Sequence, residues 1–148
     1  MSPPLFLPLL RELASAYQAF EAYSAAHIRT LDLTPAQFDI VATLGNTPGM
    51  APKELGEKTL ITKGTLTGVV DRLAGKGLVR RSASPSDGRS QIVQLTPRGE
   101  ALFASIFPAH LAYMARAFAR LAPEELAATE AGLRRMREAF AAVREEAL

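Results

Sequence analysis

The chain has 148 residues, of which 48% are hydrophobic and 22% are charged, and its formal net charge is +2. This balance is typical of one soluble globular protein and excludes a disordered or fibrous chain. The sequence contains no cysteine, which excludes disulfides, thiolate metal sites, cysteine nucleophiles and thiol redox sensing.

Apolar residues at helical spacing begin the chain. Their spacing predicts a long first helix that ends near Arg29. The face consists of Leu5, Leu9, Leu13, Tyr17, Phe20 and Ser24. The start lacks the basic segment of a secretory signal, and no uninterrupted apolar run reaches the roughly 18 residues of a membrane span. We therefore expect a cytoplasmic protein.

Two helix starts with proline follow. Thr34 and Pro35 predict an N-cap and a first helical residue, and this second helix should stop at Gly45 or Asn46. After a turn rich in proline and glycine, Pro52 predicts the start of a short third helix. Three predicted helices therefore lie in the first half of the chain.

A fourth helix and a hairpin are predicted next. Thr62 is expected to cap the helix with its side chain, and the apolar positions are Leu66, Val69, Val70 and Leu73. The helix should end at the glycine-containing segment 75–77. Residues 78–82 and 91–95 then predict two strands, because the dipeptide at 87–88, Asp-Gly, is a strong hairpin signal.

Two helices complete the chain. Thr96 and Pro97 predict the start of the fifth, which Pro108 should kink or interrupt. Pro123 predicts the start of the last helix. Its expected inward positions are Leu126, Leu133, Met136, Phe140 and Val143. The fold class is mainly α with a small β-hairpin, in the order ααααββαα.

The third and fourth helices followed by a hairpin predict a winged helix-turn-helix, a shape that suits double-stranded DNA. Residues 53–98 hold nine Lys and Arg against four acidic residues, a net charge of +5, whereas the remainder sums to −3. Basic residues are thus concentrated where a polyanion would bind. The candidate DNA contacts are Lys53, Thr62, Lys63, Thr65, Thr67, Arg72, Arg80, Arg81, Ser86, Asp87 and Arg89.

Two features within this segment fit close approach to DNA. Gly64 and Gly68 lie in the fourth helix, where each costs about 1 kcal/mol of helix stability relative to alanine. A close approach of the helix backbone to DNA would offset this cost; tolerated sequence drift is the alternative. At the hairpin tip, Arg89 suits the negative potential of a narrow minor groove, with Asp87 as its expected ion-pair partner. An ordinary exposed turn is the alternative there.

Several motifs occur in an order that resembles the multiple-antibiotic-resistance regulator (MarR) family. They are Glu54-Leu55, Val69-Val70-Asp71-Arg72-Leu73, Gly77-Leu78-Val79-Arg80-Arg81, Asp87-Gly88-Arg89 and Leu95-Thr96-Pro97-Arg98-Gly99. The resemblance covers nearly the whole chain. It implies an intertwined homodimer that binds palindromic operator DNA. The implied regions are 1–32 for dimerisation, 33–98 for the DNA-binding lobe and 99–148 for the C-terminal dimerisation helices.

The resemblance further implies a transcriptional regulator, expected to be a repressor, that releases DNA when a small aromatic or phenolic effector enters a cleft between the dimer helices and the lobe. The candidate lining residues are Tyr17, Phe20, Tyr23, His27, Phe38 and Phe107. Aromatic residues at helical spacing are equally typical of plain core or dimer packing. The sequence alone leaves both interpretations open.

Other classes of function have less support. His27 and His110 are the only histidines, and a metal site would need them to meet carboxylates such as Glu21 or Glu100, so no metal or cofactor is expected. The common nucleophile, phosphate-loop and zinc-hydrolase motifs are absent, so no enzyme activity is expected. The remaining alternative is a winged-helix module that binds protein, which would need an apolar outer face on the fourth helix.

Overall fold

The computed structural model describes residues 1–147. Its elements in chain order are α1 (Leu7–Ile28), α2 (Pro35–Leu44), α3 (Pro52–Thr59), α4 (Lys63–Gly75), β1 (Val79–Ala83), β2 (Gln91–Leu95), α5 (Pro97–Phe118) and α6 (Pro123–Ala147). A single 3₁₀ turn follows α1 at Arg29–Leu31. The order of helices and hairpin predicted from the sequence is confirmed.

The two predicted helix caps differ in their hydrogen bonds. At α2, the Thr34 hydroxyl accepts a hydrogen bond from the Gln37 backbone N–H at 3.1 Å, and the Gln37 side chain accepts one from the Thr34 N–H at 3.1 Å. This is a complete capping box. At α4, Thr62 is the N-cap residue, but its hydroxyl donates to the Thr65 hydroxyl at 3.1 Å instead of capping a backbone N–H. The prediction of a side-chain cap by Thr62 was wrong.

The hairpin is antiparallel, with Val79 opposite Leu95 at its base. β2 has the predicted bounds, whereas β1 begins and ends one residue later than predicted. A further bridge joins Met50, just before α3, to Val93 in β2, through backbone N–H to O distances of 3.0 and 2.8 Å. The base of the wing is therefore bonded to the segment that leads into the helix-turn-helix.

The hydrophobic core lies where α2, α3, α4 and the hairpin meet. Its most enclosed side chains are Ile40, Leu44, Leu55, Leu73, Val41 and Val93. The apolar face predicted for α4 is correct, because Leu66, Val69, Val70 and Leu73 are all buried. By compactness the chain divides into one unit at Met1–His110, which holds this core, and a second unit that begins at Leu111.

The start of α5 is fixed against β1 by a close backbone approach. The Thr96 hydroxyl donates to the Gly77 carbonyl at 2.6 Å, and the Thr96 N–H donates to the Leu78 carbonyl at 3.0 Å. A Cβ on Gly99 would lie 2.0 Å from the Leu78 carbonyl oxygen. Only glycine fits at this contact.

The flanking helices depart from the expectations in two ways. Pro108 does not interrupt α5, which continues to Phe118; a kink at Pro108 stays a prediction. The apolar face of α6 does not point inward within one chain, since Phe140 is 63% exposed and Leu133 is 49% exposed. Helical periodicity identifies an apolar face but does not say whether the same chain covers it.

Candidate DNA-binding surface and effector groove

The outer face of α4 is polar and open to solvent. The helix buries its leucine and valine face in the core, which turns the opposite side outward. The predicted DNA-contact residues of this helix and its N-cap are all exposed: Thr62, Lys63, Thr65, Thr67 and Arg72. Short hydroxyls and cations on one helix face can contact base edges and phosphates.

The two glycines of this helix lie next to open space. A Cβ on Gly64 or on Gly68 would have no heavy atom within 4 Å. Packing within the chain therefore does not require glycine at either position. Both leave the α4 backbone accessible to an external molecule.

Basic residues flank this face on α3 and the hairpin. Lys53, Arg80 and Arg81 are exposed. The Arg81 guanidinium binds the Asp71 carboxylate of α4 at 2.8 Å, which joins β1 to the fourth helix. Arg80 lies opposite Gln94 in the hairpin register. The two arginines extend the positive surface from α4 onto the wing.

The wing tip is ordered by its own side chains. The Asp87 carboxylate accepts hydrogen bonds from the Arg89 backbone N–H at 3.1 Å and from the Ser90 hydroxyl at 3.2 Å. The Ser86 hydroxyl lies 3.1 Å from that of Ser84. The ion pair expected between Asp87 and the Arg89 guanidinium is absent from the described residues. Asp87 holds the backbone of the turn, and the exposed Arg89 side chain extends from it.

The candidate effector residues fall into separate groups. Tyr17 and Phe20 have ring centroids 6.1 Å apart and border a groove between α1 and α2. His27 and Phe38 both contact His110, with ring centroids at 5.1 and 4.5 Å. Phe107 stacks on Phe103 at 5.0 Å. Tyr23 is half-buried on α1.

The groove between α1 and α2 has a volume of about 480 Å³. Its apolar walls include Phe20, Ile28 and Pro35, and its ionisable groups include Glu21 and Asp39. A hydrogen bond to Glu21 raises the pKa of Tyr17, and the charges of Glu21 and Asp39 raise it further. Burial raises the pKa of the Asp39 carboxyl above its ordinary value. The sequence analysis did not select Asp39 as a site residue, because helical periodicity indicates the buried apolar residues of α2, such as the neighbouring Phe38, and not a carboxylate.

The two histidines meet although 83 residues separate them in sequence. Their Nδ1 atoms are 2.9 Å apart, and His110 Nε2 lies 3.2 Å from the Ser24 hydroxyl. Within residues 1–147, no group of three or more His, Cys, Asp or Glu side chains is arranged to hold a metal ion. The pair therefore joins α1 to α5 through hydrogen bonds between side chains.

The pair predicts acid sensitivity of the fold. Burial, and secondarily the charge of His27, lowers the pKa of His110 below its ordinary value of 6.5. The unfolded chain binds this proton more readily, so the free energy of unfolding should fall as pH drops below about 6.5. We expect His110→Gln to lose less stability than the wild type between about pH 7.5 and pH 5 in urea titrations. His27→Gln removes the lesser of the two causes of the shift and should lose stability to an extent between that of His110→Gln and that of the wild type. Equal losses in wild type and His110→Gln would contradict the assignment.

A helix-turn-helix with an exposed polar recognition helix and a basic wing defines a winged-helix DNA-binding protein. The model of the MarR family matches residues 33–91. The chain is also 33% identical over 120 residues to the HTH-type transcriptional regulator MhqR of Bacillus subtilis, covering 81% of this chain and 83% of that protein. The chain therefore belongs to the MarR family of transcriptional regulators, and its relatives are regulators, not enzymes.

Solved structures of this family share the fold. BpsR of Bordetella bronchiseptica, whose DNA binding is regulated by 6-hydroxynicotinic acid, matches with a TM-score of 0.79 and 29% identity, over 93% of this chain and 98% of BpsR. A mutant of MarR from E. coli complexed with operator DNA matches with a TM-score of 0.77 and 28% identity, over 90% of this chain and 99% of that one. DNA binding by a winged helix is thus a property of its structural relatives.

Proposed function

We propose that a cytoplasmic homodimer of this chain represses transcription by binding a palindromic operator, and that a small aromatic effector releases it. The observation that carries this proposal is the exposed polar face of α4 beside the exposed Arg89 at the wing tip. A protein-binding module would present apolar residues on that face. The winged lobe at 33–98 reads DNA, and regions 1–32 and 99–148 dimerise.

The proposed DNA contacts are of three kinds: to base edges, to the minor groove and to phosphates. Thr62, Lys63, Thr65 and Thr67 occupy the N-terminal half of α4, the part of a recognition helix that contacts base edges in the major groove. Arg89 enters the flanking minor groove, where the potential is most negative. The phosphate-contacting residues are Lys53, Arg72, Arg80, Arg81 and Ser86. Asp87 contributes to DNA binding indirectly, because it orders the turn that carries Arg89.

Replacing the glycines of α4 should change thermal stability and operator affinity in opposite directions. Gly64→Ala and Gly68→Ala should each raise the melting temperature, because alanine is favoured in a helix by up to about 1 kcal/mol. Each should also weaken operator binding, because the added methyl group keeps the DNA backbone away from α4. Melting curves and anisotropy titrations measure both effects. Gly75→Ala, at the C-terminal end of α4 with open space around it, should raise stability without changing operator affinity, and unchanged operator affinity in both Gly64→Ala and Gly68→Ala would contradict this docking.

Dimerisation is supported by apolar residues that one chain leaves exposed. On α1, Leu9 and Leu10 are 52% and 47% exposed, and on α6, Phe140 and Val143 are 63% and 64% exposed. Exposed apolar faces on long helices are typical of surfaces that a second subunit covers. Each face therefore packs against the partner in the proposed dimer.

Phe140→Glu should disrupt the dimer, because it places a charge in an apolar interface. We expect the dimer dissociation constant to rise at least about 100-fold, on the scale of an unpaired buried charge. Sedimentation velocity at several concentrations measures the change. Ala142→Glu, on the opposite face of α6, is the matched control and should remain dimeric. A dimeric Phe140→Glu protein would exclude α6 from the interface.

The effector proposal is supported by the groove between α1 and α2, which has the volume of a ligand pocket. BpsR supplies a precedent, since its DNA binding is regulated by a small aromatic compound. Tyr17 and Phe20 are the effector candidates that border this groove.

The α5 helix is long and apolar enough to span a membrane by length and composition alone. However, it buries His110 and carries Arg98 and Glu100, which fits a water-soluble protein.

A fluorescence-anisotropy titration tests the proposed function. The full chain is titrated with a palindromic fragment from its own upstream region and with a scrambled fragment, at two salt concentrations. Tighter binding to the native fragment at one dimer per site, weakened by salt, is the expected result. Equal weak binding to both fragments would favour the protein-binding alternative.

A further inference from the structure

The groove between α1 and α2 is negatively charged. We infer that its ligand is an organic cation with an aromatic body, an inference that rests on the proposed effector response. Glu21 of α1 and Asp39 of α2 both border the groove. Among its lining residues within the described chain, none is Lys, Arg or His. An aromatic carboxylate, such as the 6-hydroxynicotinic acid that regulates BpsR, would meet two like charges there, whereas an ammonium group would be attracted by both. The inferred ligand class of this chain therefore differs from that of BpsR.

The electrostatics of Tyr17 support this arrangement independently. Glu21 and Asp39 lie on different helices, yet both raise the pKa of the Tyr17 hydroxyl. Both carboxylates therefore act on one hydroxyl at the wall of the groove.

The walls suit the remainder of such a ligand. Tyr17 and Phe20 present half-exposed rings, at 55% and 48% exposure, and an aromatic face attracts a cation. Ile28 and Pro35 supply apolar surface for the body of the ligand. The volume of about 480 Å³ accommodates a fused two-ring compound.

One cation, Lys58, lines a neighbouring hollow. That hollow shares Tyr17, Phe20 and Asp39 with the groove and adds Lys58 of α3. The Lys58 ammonium lies 3.4 Å from Glu54, so this positive charge already has a carboxylate partner. The titratable and charged groups that line the groove or this hollow are therefore Tyr17, Glu21, Asp39 and the paired Lys58.

A matched probe series tests the charge preference on the full-length protein. Naphthylmethylammonium, naphthylmethanol and naphthoate share one ring system and differ in charge, and calorimetry gives their dissociation constants. We expect the ammonium to bind about 10-fold more tightly than the alcohol, which is the effect of one favourable charge pair, and the carboxylate to bind most weakly. Glu21→Gln and Asp39→Asn should each lower ammonium affinity about 10-fold and leave alcohol affinity unchanged. Glu12→Gln, on α1 outside the groove, is the control.

The same series distinguishes this inference from the proposed function. Ammonium binding should weaken as pH falls through the Asp39 pKa, because protonation removes the attracting charge, whereas alcohol binding should not change. Tighter binding of naphthoate, or equal losses for all three probes in the two variants, would overturn the cation preference. If the protein binds operator but none of the probes, and the variants alter the dimer dissociation constant, the groove is instead covered by a second copy. Absence of operator binding would refute the proposed function itself.

Discussion

Arg89→Ala should weaken operator binding about 10- to 100-fold, on the scale of 1–3 kcal/mol for one arginine in a DNA groove. The Asp87 carboxylate orders the turn through the Arg89 backbone and Ser90, so the turn persists when the guanidinium is removed. The melting temperature and dimer constant should therefore not change. Anisotropy titrations at several salt concentrations should also show a salt slope that is smaller by about one.

Arg135→Ala is the matched control for this experiment, since it removes an exposed arginine of α6. It should leave operator affinity within about twofold, as exposed charges far from an interface do. Unchanged affinity in Arg89→Ala would show that the wing does not enter the DNA groove. The outer face of α4 would then be the main source of affinity.

Gly99→Ala should lower the free energy of unfolding by about 3 kcal/mol, at the upper end for an overpacked contact. The added methyl carbon would lie 2.0 Å from the Leu78 carbonyl oxygen, so either the start of α5 or the beginning of the hairpin must move. For a chain of this size we expect a melting temperature lower by about 6–12 °C. Calorimetry at one protein concentration measures it, because dimerisation makes melting depend on concentration.

Two comparisons make this result specific. Gly75→Ala introduces the same methyl group where no heavy atom lies within 4 Å, and it should not destabilise the protein. Gly45→Ala would place a Cβ 2.3 Å from the Phe103 ring, a side chain that has more freedom to shift than a backbone carbonyl. Gly45→Ala should therefore lower the free energy of unfolding by less than Gly99→Ala does. A Gly99→Ala protein as stable as the wild type would exclude a tight contact between α5 and β1.

The sequence predicts those parts of the fold that depend on local chemistry. Thr34 followed by Pro35 gave the start of α2, and the spacing of apolar residues gave the buried face of α4. The bounds of β2 followed from its position after the Asp-Gly turn. Each of these signals lies within a few residues of the feature that it specifies, so no knowledge of the tertiary fold was needed.

Features that depend on distant partners could not be predicted in this way. The contact between His27 and His110 requires α1 and α5 to meet, and nothing near either residue indicates it. Arg81 looked like a phosphate contact, but it also binds Asp71 of α4. The exposure of Phe140 in one chain fits the dimerisation region that the family resemblance implies. Periodicity alone could not indicate it, because an apolar stripe looks the same whether its own chain or a second chain covers it.

The bridge between Met50 and Val93 has a mechanical consequence for how this protein selects DNA sites. It bonds the segment before α3 to the hairpin, while Thr96 bonds the hairpin end to the turn after α4. These bonds hold the recognition helix and the base of the wing at a fixed spacing before DNA binds. In the proposed complex, DNA whose neighbouring grooves do not match that spacing must bend to fit, so we expect sites that resist bending to bind more weakly.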